Sequence, residues 1–475
     1  MTSLNHEVPS ASRLGRRTLL GGGLAATAIA GYAGATRQPA SAAETASSAG
    51  VPTRRPNFLL VVVDDLGWGE VGAYGQEVLQ TPVLDGIAAG GLRFDQAYAT
   101  PTCAPTRCSL FTGLHTGHAR VKQNSQAGRG FLPEDVTIGE VLQGAGYTTG
   151  IIGKWGFGPD RGDSASHPLR QGFDRFFGYI THLHAHDYWP TYLWSDHTRV
   201  EYPENAGADV TYAGTLITEE ALRFLDDVGA DEPFFLDVSY TTPHAPNEIP
   251  SDAPYSDRPW PEGERNHAAQ VTWTDTQVGL LMDRLERNGL ADNTVVLVVS
   301  DNGPHQEGAS YGHVGSNLPH DAEFFDSNGP LRGIKRDVYE GGIRVPMVAS
   351  IPTALRTDAS PAPGTAVRTP IAVWDLLPTF AELGGASIPD GLDGISFAPT
   401  FVGGEQPTHD YLYWQFPEGG FDEAVRFGQW KAVRHDRGAT QLFQLNRDLS
   451  EQNDVAATFP SVVRRTERLM RESVA

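Results

Sequence analysis

Apolar residues follow two different periods along this chain. Continuous runs at Phe58 to Val63, Thr148 to Ile152, Phe234 to Ser239 and Val295 to Ser300 are too short for ordinary helices. They show none of the alternation of a strand with one wet face, so they predict central parallel strands covered on both sides. Between them, Ala221, Phe224, Leu225 and Val228 recur at helical spacing, as do Val271, Val278, Leu281, Met282 and Leu285, with Gly289 placed to stop the second helix. The alternation predicts an α/β fold: a mostly parallel central sheet flanked by helices.

Toward the C-terminus the pattern changes. A Pro/Ala/Gly/Thr-rich stretch from Ala359 to Pro370 reads as loop, and a turn-rich piece from Gly403 to His409 marks a domain boundary. Beyond it, Tyr411 to Phe416, Ala424 to Phe427, Trp430 to Arg434 and Gln441 to Leu445 predict antiparallel strands, and Pro460 to Ser473 a closing helix. This is a smaller C-terminal α+β subdomain.

The N-terminus differs again. Arg13, Arg16 and Arg17 precede a Gly/Ala-rich apolar run from Leu19 to Thr36 and the small residues Ala40 to Ala43. That order predicts a twin-arginine signal peptide over residues 1–42. A membrane anchor is the competing reading; the run is short and poor in large side chains, and no later segment is long and apolar enough to span a bilayer, so no stable membrane insertion is expected. The expected organisation is a signal peptide over 1–42, a linker over 43–55, a catalytic domain over 56–405 and the subdomain over 406–475. The twin-arginine export machinery would deliver a folded chain, with any modification or metal already acquired, to the periplasm or the extracellular space.

Charge narrows the partners. With 58 acidic and 36 basic residues, the formal net charge of -22 disfavours nucleic acid as a ligand and requires a local basic pocket for any anionic substrate. Cys103 and Cys108 are the only cysteines, so an exported chain of this size has no disulfide framework. A bridge between these two would lock a tight turn.

In open α/β sheets, ligands collect beyond the carboxyl ends of the strands. The first predicted strand runs into Asp64 and Asp65, and the fourth into Asp301 and Asn302. Such side chains after strands often only cap turns, but two matching pairs form an oxygen-donor set suited to a hard cation. Ca²⁺ is favoured over Mg²⁺ because it tolerates irregular geometry, and zinc prefers nitrogen and sulfur. The other two strand ends are basic, at Gly153-Lys154-Trp155 and Thr242-Pro243-His244-Ala245-Pro246, and cations there can hold an anionic ester.

Cys103-Ala104-Pro105-Thr106-Arg107, followed by Cys108-Ser109-Leu110-Phe111-Thr112-Gly113, resembles the C-x-P-x-R motif of the type I, formylglycine-dependent sulfatases, arylsulfatase-like members of the alkaline phosphatase superfamily. The resemblance extends through Asp64-Asp65, Gly153-Lys154-Trp155, Pro243-His244-Ala245-Pro246, Ser300-Asp301-Asn302-Gly303, Leu331-Arg332-Gly333-Ile334-Lys335 and Tyr339-Glu340-Gly341-Gly342. It implies that a formylglycine-generating enzyme oxidises Cys103 to an aldehyde whose hydrate is the nucleophile. It also implies that Asp64, Asp65, Asp301, Asn302 and the modified Cys103 hold Ca²⁺, and that Arg107, Lys154, His244 and Lys335 surround sulfate and nucleophile. Asp301 is the expected base, and His244 or Lys335 the proton donor to the departing alcohol. The hydrate's second hydroxyl would let sulfate leave by C–O cleavage.

Two positions depart from the family pattern. Gly156 stands where many members carry His, and Thr106 where Ser is commoner. His182, His184 and His186 alternate, so an extended segment would turn all three to one side. They are candidates to replace the missing imidazole, to contact substrate (His186 first), or to hold zinc. His305 follows Asp301 as a candidate support, and Trp155, Tyr188, Trp189 and Trp194 either stack on a substrate ring or pack the core. The expected reaction is hydrolysis of an aryl sulfate or a sulfated carbohydrate. The alternatives are a phosphonate or phosphodiester hydrolase of the same superfamily and a catalytically dead sulfated-glycan-binding protein.

Overall fold

All four apolar runs become neighbouring strands. In the computed structural model, which describes residues 55–229, 232–307 and 318–474, they are Asn57–Asp64, Thr148–Lys154, Phe234–Pro243 and Thr294–Ser300. Asn57–Asp64 lies between Thr294–Ser300 and Phe234–Pro243, with Thr148–Lys154 next, and every one of these pairings is parallel. They form the centre of a ten-stranded sheet. Antiparallel strands join toward both edges, Met347–Ala349 on one side and Tyr192–Ser195 with Thr198–Glu201 on the other. The expected signal peptide lies outside the described residues, as does all of the expected linker except Arg55.

The unbroken hydrophobicity of these runs has a direct cause. Phe58, Leu60 and Val62 enter the core on one face of the sheet, while Leu59, Val61 and Val63 enter the core on the other. Each fully buried side chain of this size contributes about 1.5–3 kcal/mol. The helices Ala213–Asp227 and Glu262–Arg287 cover the second face through Ile217, Ala221, Phe224, Leu225, Val271, Val278, Leu281 and Leu285. Gly289, at φ 67°, takes the left-handed turn just beyond the longer helix.

Part of the stretch read as loop is ordered differently: Thr365–Val367 pairs in parallel with Leu92–Phe94 at the sheet edge. Main-chain pairing makes this short strand, and no apolar pattern announces it. At the C-terminus, Leu412–Phe416, Asp422–Phe427, Trp430–His435 and Thr440–Gln444 form a four-stranded antiparallel sheet followed by the helix Pro460–Glu472. Leu412, Trp414 and Phe416 join the main core, while Tyr413, Val425 and Leu442 pack with Leu469 and Met470 of the helix. Among the described residues, no helix is long and apolar enough to cross a membrane.

Candidate active site

Register gathers the chemistry at one edge. Val63 lies opposite Ser300, Asp64 opposite Pro243, and Gly153 opposite Ser239. Asp64-Asp65, Asp301-Asn302, Lys154 and His244 therefore leave the sheet together at its carboxyl end. A bulge before Asp64 and a left-handed Asp65, at φ 68°, turn the chain so that both carboxylates reach the cluster; Asp accepts this conformation better than most residues. Cys103 is the first residue of the buried helix Cys103–Thr112, and Lys335 arrives on a turn whose amide donates to the Pro304 carbonyl at 2.9 Å.

The side chains interlock. The Cys103 thiol donates to Asp64 Oδ1 at 3.1 Å and lies 3.8 Å from Asp65 Oδ1. Lys154 Nζ donates to Asp64 Oδ2 at 2.5 Å. Arg107 Nε and Nη2 donate to Asp301 Oδ2 at 3.1 and 3.0 Å, and its Nη1 to the Lys154 carbonyl at 3.1 Å. Lys335 Nζ donates to Asp65 Oδ2 at 2.9 Å and to His244 Nε2 at 2.7 Å. Because His244 Nε2 accepts from Lys335, its proton sits on Nδ1, which donates to the Ala245 carbonyl.

Burial dominates the electrostatics. It raises the carboxyls of Asp65 and Asp301 to about 6 and about 7, Asp64 adding charge repulsion in both cases. Asp64 is buried as deeply, but Lys154 beside it, with His244, Arg107 and Lys335, holds its carboxyl well below the usual range. Burial also pushes the Cys103 thiol well up, with Asp301 and Asp64 adding to the effect, so the unmodified side chain stays protonated and is a poor nucleophile. His244, lowered to about 4 by burial and by Lys335, is neutral.

This donor set fits a hard divalent cation. Three carboxylates converge, burial and mutual repulsion push two of them up, and Asn302 Oδ1 is buried without a hydrogen-bond partner among the described residues. Oxygens of Asp64 and Asp65 also lie within 4.8 Å of Cys103 Sγ and a His244 nitrogen. A bound cation would relieve the repulsion that protonation otherwise relieves.

The imidazoles are arranged otherwise than alternation predicts. His184–His186 is a 3-10 turn, so neighbours two apart diverge. His182 and His186 meet at 4.9 Å between ring centroids, and His186 lies 4.4 Å from His244. His184 turns away, 4.3 Å from the Tyr192 ring and 5.0 Å from Tyr179, so a three-histidine zinc site does not form. Gly156, at φ 89°, has room for a Cβ beside Lys154 and Arg107 at 3.9 and 4.0 Å, but its backbone conformation favours glycine. Thr106 uses its hydroxyl on the Thr100 amide at 3.0 Å.

Other expectations resolve simply. Both cysteines are free, so the bridge between them is absent. Trp155, Tyr188, Trp189 and Trp194 are core residues, with the Trp155 indole donating to Ser166 O at 2.8 Å and Tyr188 OH to the His244 carbonyl at 2.5 Å. His305 supports the site from behind, its Nε2 meeting the Pro243 carbonyl at 3.0 Å and its ring stacking 5.8 Å from His244. Glu307 escapes sequence reasoning altogether. Its carboxylate lies 3.3 Å from Lys335 and 3.6 Å from His244 and also pairs with Arg336; apart from following Asp301-Asn302 closely, it carries no signal.

The Sulfatase family model matches residues 56–386. The chain belongs to the sulfatase family. Human arylsulfatase A is 33% identical over 81% of this chain and 76% of its own length, and dog N-acetylgalactosamine-6-sulfatase is 31% identical over 81% and 72%. The solved structure of Ps i-CgsB in complex with k-i-k-neocarrahexaose matches with a TM-score of 0.75 at 28% identity, over 88% of this chain and 92% of that one. This sulfatase is therefore a sulfuric ester hydrolase on the fold of the alkaline phosphatase superfamily.

Proposed function

We propose that Cys103, converted to formylglycine by a formylglycine-generating enzyme, is the nucleophile for sulfate ester hydrolysis, with Ca²⁺ held by Asp64, Asp65, Asp301, Asn302 and the modified residue. The observation that carries this reading is Cys103 Sγ at 3.1 Å from Asp64 Oδ1, inside a cluster where Lys154, Lys335 and Arg107 each pair with a different carboxylate. When present, the hydrated aldehyde supplies one hydroxyl to attack sulfur and a second to release sulfate, and the cation lowers the nucleophile's pKa.

Asp301 is the proposed general base, its carboxylate accepting from Arg107 Nε and Nη2 at 3.1 and 3.0 Å. Arg107 holds that carboxylate in place. Lys154 and Lys335 offset negative charge on the transferring group. The contact of Lys335 Nζ with His244 Nε2 supports the ammonium of Lys335 as the proposed proton source for the departing alcohol, with His244 as its partner. Mg²⁺ is the less suitable cation, because the ligand set is irregular.

The substrate is a sulfate ester of an aryl alcohol or a carbohydrate, and the sugar complex of Ps i-CgsB supports the latter. Residues 1–42 are proposed to direct twin-arginine export to the periplasm or extracellular space, 56–405 to form the catalytic domain and 406–475 its C-terminal subdomain. Peptide mass analysis across position 103, on protein made with the maturation enzyme, should show an aldehyde in place of the thiol. Cys103→Ala should keep its fold and lose more than about 10³-fold in turnover. An unmodified thiol in fully active protein would sink the proposal, as would faster cleavage of phosphonate than of sulfate esters in parallel assays.

A further inference from the structure

Glu307 belongs to this cluster, yet no step above employs it. Its loop is knit to the turn that carries Lys335 and Arg336. The Glu307 amide donates to His305 Nδ1 at 3.1 Å, and the nearby Pro304 carbonyl accepts from the Lys335 amide at 2.9 Å. The Arg336 amide in turn donates to the Pro101 carbonyl at 2.8 Å. Main-chain bonds therefore fix both partners before their side chains meet.

The carboxylate divides between two cations. One oxygen pairs with the Arg336 guanidinium, and the other lies 3.3 Å from Lys335 Nζ and 3.6 Å from His244 Nε2. Burial opposes its ionisation, but Lys335, His244 and Arg336 hold the carboxyl well below the usual range, so it is charged at neutral pH. A lysine ammonium carries three donors on a flexible stem and has no direction of its own. Here those donors meet Asp65 Oδ2 at 2.9 Å, His244 Nε2 at 2.7 Å and Glu307 Oε2 at 3.3 Å. Asp65 is among the residues proposed above to hold the cation; Glu307 is not, so its charge stays available to the ammonium.

We propose that Glu307 is a positioning residue: with His244 it holds two of the three donors of Lys335 Nζ, so that the third, which meets Asp65 here, serves the ester oxygen of a bound substrate. The proposal rests on the reading of Lys335 as proton source. The ester oxygen takes that proton as its bond to sulfur breaks, and the amine left behind regains one from solvent. A Glu307 that only clamped its loop to the turn would matter equally for every substrate. Proton donation matters most where the leaving oxygen is strongly basic.

The test measures kcat/KM of the matured enzyme on 4-nitrophenyl, 4-chlorophenyl and phenyl sulfate, in order of rising leaving-group basicity. Wild type is compared with Glu307→Gln, Glu307→Asp and Lys335→Ala, and melting temperatures verify folding. Glu307→Gln should lose about tenfold more on phenyl than on 4-nitrophenyl sulfate. Glu307→Asp, which keeps the charge, should recover part of that difference, and Lys335→Ala should show the steepest dependence of all. A Glu307→Gln loss equal across the series would assign the residue to structure and overturn the proposal, as would no loss on any ester. If Lys335→Ala itself loses equally across the series, Lys335 is not the proton source, and that reading falls and takes the proposal with it. A matured wild type that cleaves none of the sulfate esters refutes the sulfatase reading itself, which separates the failures.

Discussion

Two of the buried carboxylate–lysine clusters among the described residues invite comparison, and we propose only the first as a reaction centre. The first gathers Asp64, Asp65 and Asp301 with Lys154, Lys335 and Arg107. The second gathers Glu340 and Glu451 around Lys431, whose Nζ lies 3.0 Å from one and 3.3 Å from the other. Both contain a carboxyl that burial and a neighbouring charge raise to about 7, Asp301 in one and Glu451 in the other. A perturbed carboxyl therefore does not by itself mark a site.

The surroundings make the difference. Glu340 is bound by the Tyr98 hydroxyl at 2.7 Å and by Arg344 at 3.4 Å, and its amide donates to Glu451 at 2.7 Å. Lys431, on the strand Trp430–His435, ties the small sheet to the main body through this carboxylate. In that cluster Lys431 and Arg344 balance the two carboxylates, and the group holds structure together. The first cluster holds Cys103, the proposed site of modification, and an orphaned Asn302 oxygen suited to a cation, neither of which the second cluster has.

The contrast can be broken experimentally. Asp301→Asn should reduce turnover by more than about 10³-fold and lower bound calcium, measured by elemental analysis; normal metal content with full activity would remove the distinction. Glu340→Gln should act in the opposite sense, costing about 3–5 kcal/mol because Lys431 loses its main partner. Urea unfolding reads that loss, while kcat per folded molecule stays unchanged. A fall in kcat at unaltered stability would make the second cluster functional after all.

The smallest effect concerns pH. In the metal-free protein Asp65 and Asp301, at about 6 and about 7, keep protons that an unfolded chain releases near pH 4, roughly the free carboxyl value. Stability contributed by these groups therefore falls as pH rises through that window. A cation favours the deprotonated pair, so saturating calcium should raise the melting temperature more at pH 8 than at pH 5.5. A hundredfold excess over Kd is worth about 2.7 kcal/mol. Equal shifts at both pH values would show that the ion does not depend on these carboxyls.

Much of the site was legible because local pattern and register coincide. Asp64, Lys154, His244 and Asp301 each close or follow an apolar run, and parallel neighbours necessarily finish at one edge. The C-x-P-x-R segment added Cys103 and Arg107. Glu307 was invisible because its role depends on where Lys335 arrives from a distant turn. The histidine triplet misled because alternation implies one face only in an extended chain, and this segment turns.

The runs at Phe58, Thr148, Phe234 and Val295 determine a two-faced buried sheet without help from elsewhere, since residues apolar on both sides have no other favourable place. Which way His182 and His184 point, whether Trp155 packs or stacks, and whether Glu340 anchors or reacts were decided only when distant segments met. Those outcomes depend on the neighbours available to each group once water is excluded, and a one-dimensional pattern does not contain that information.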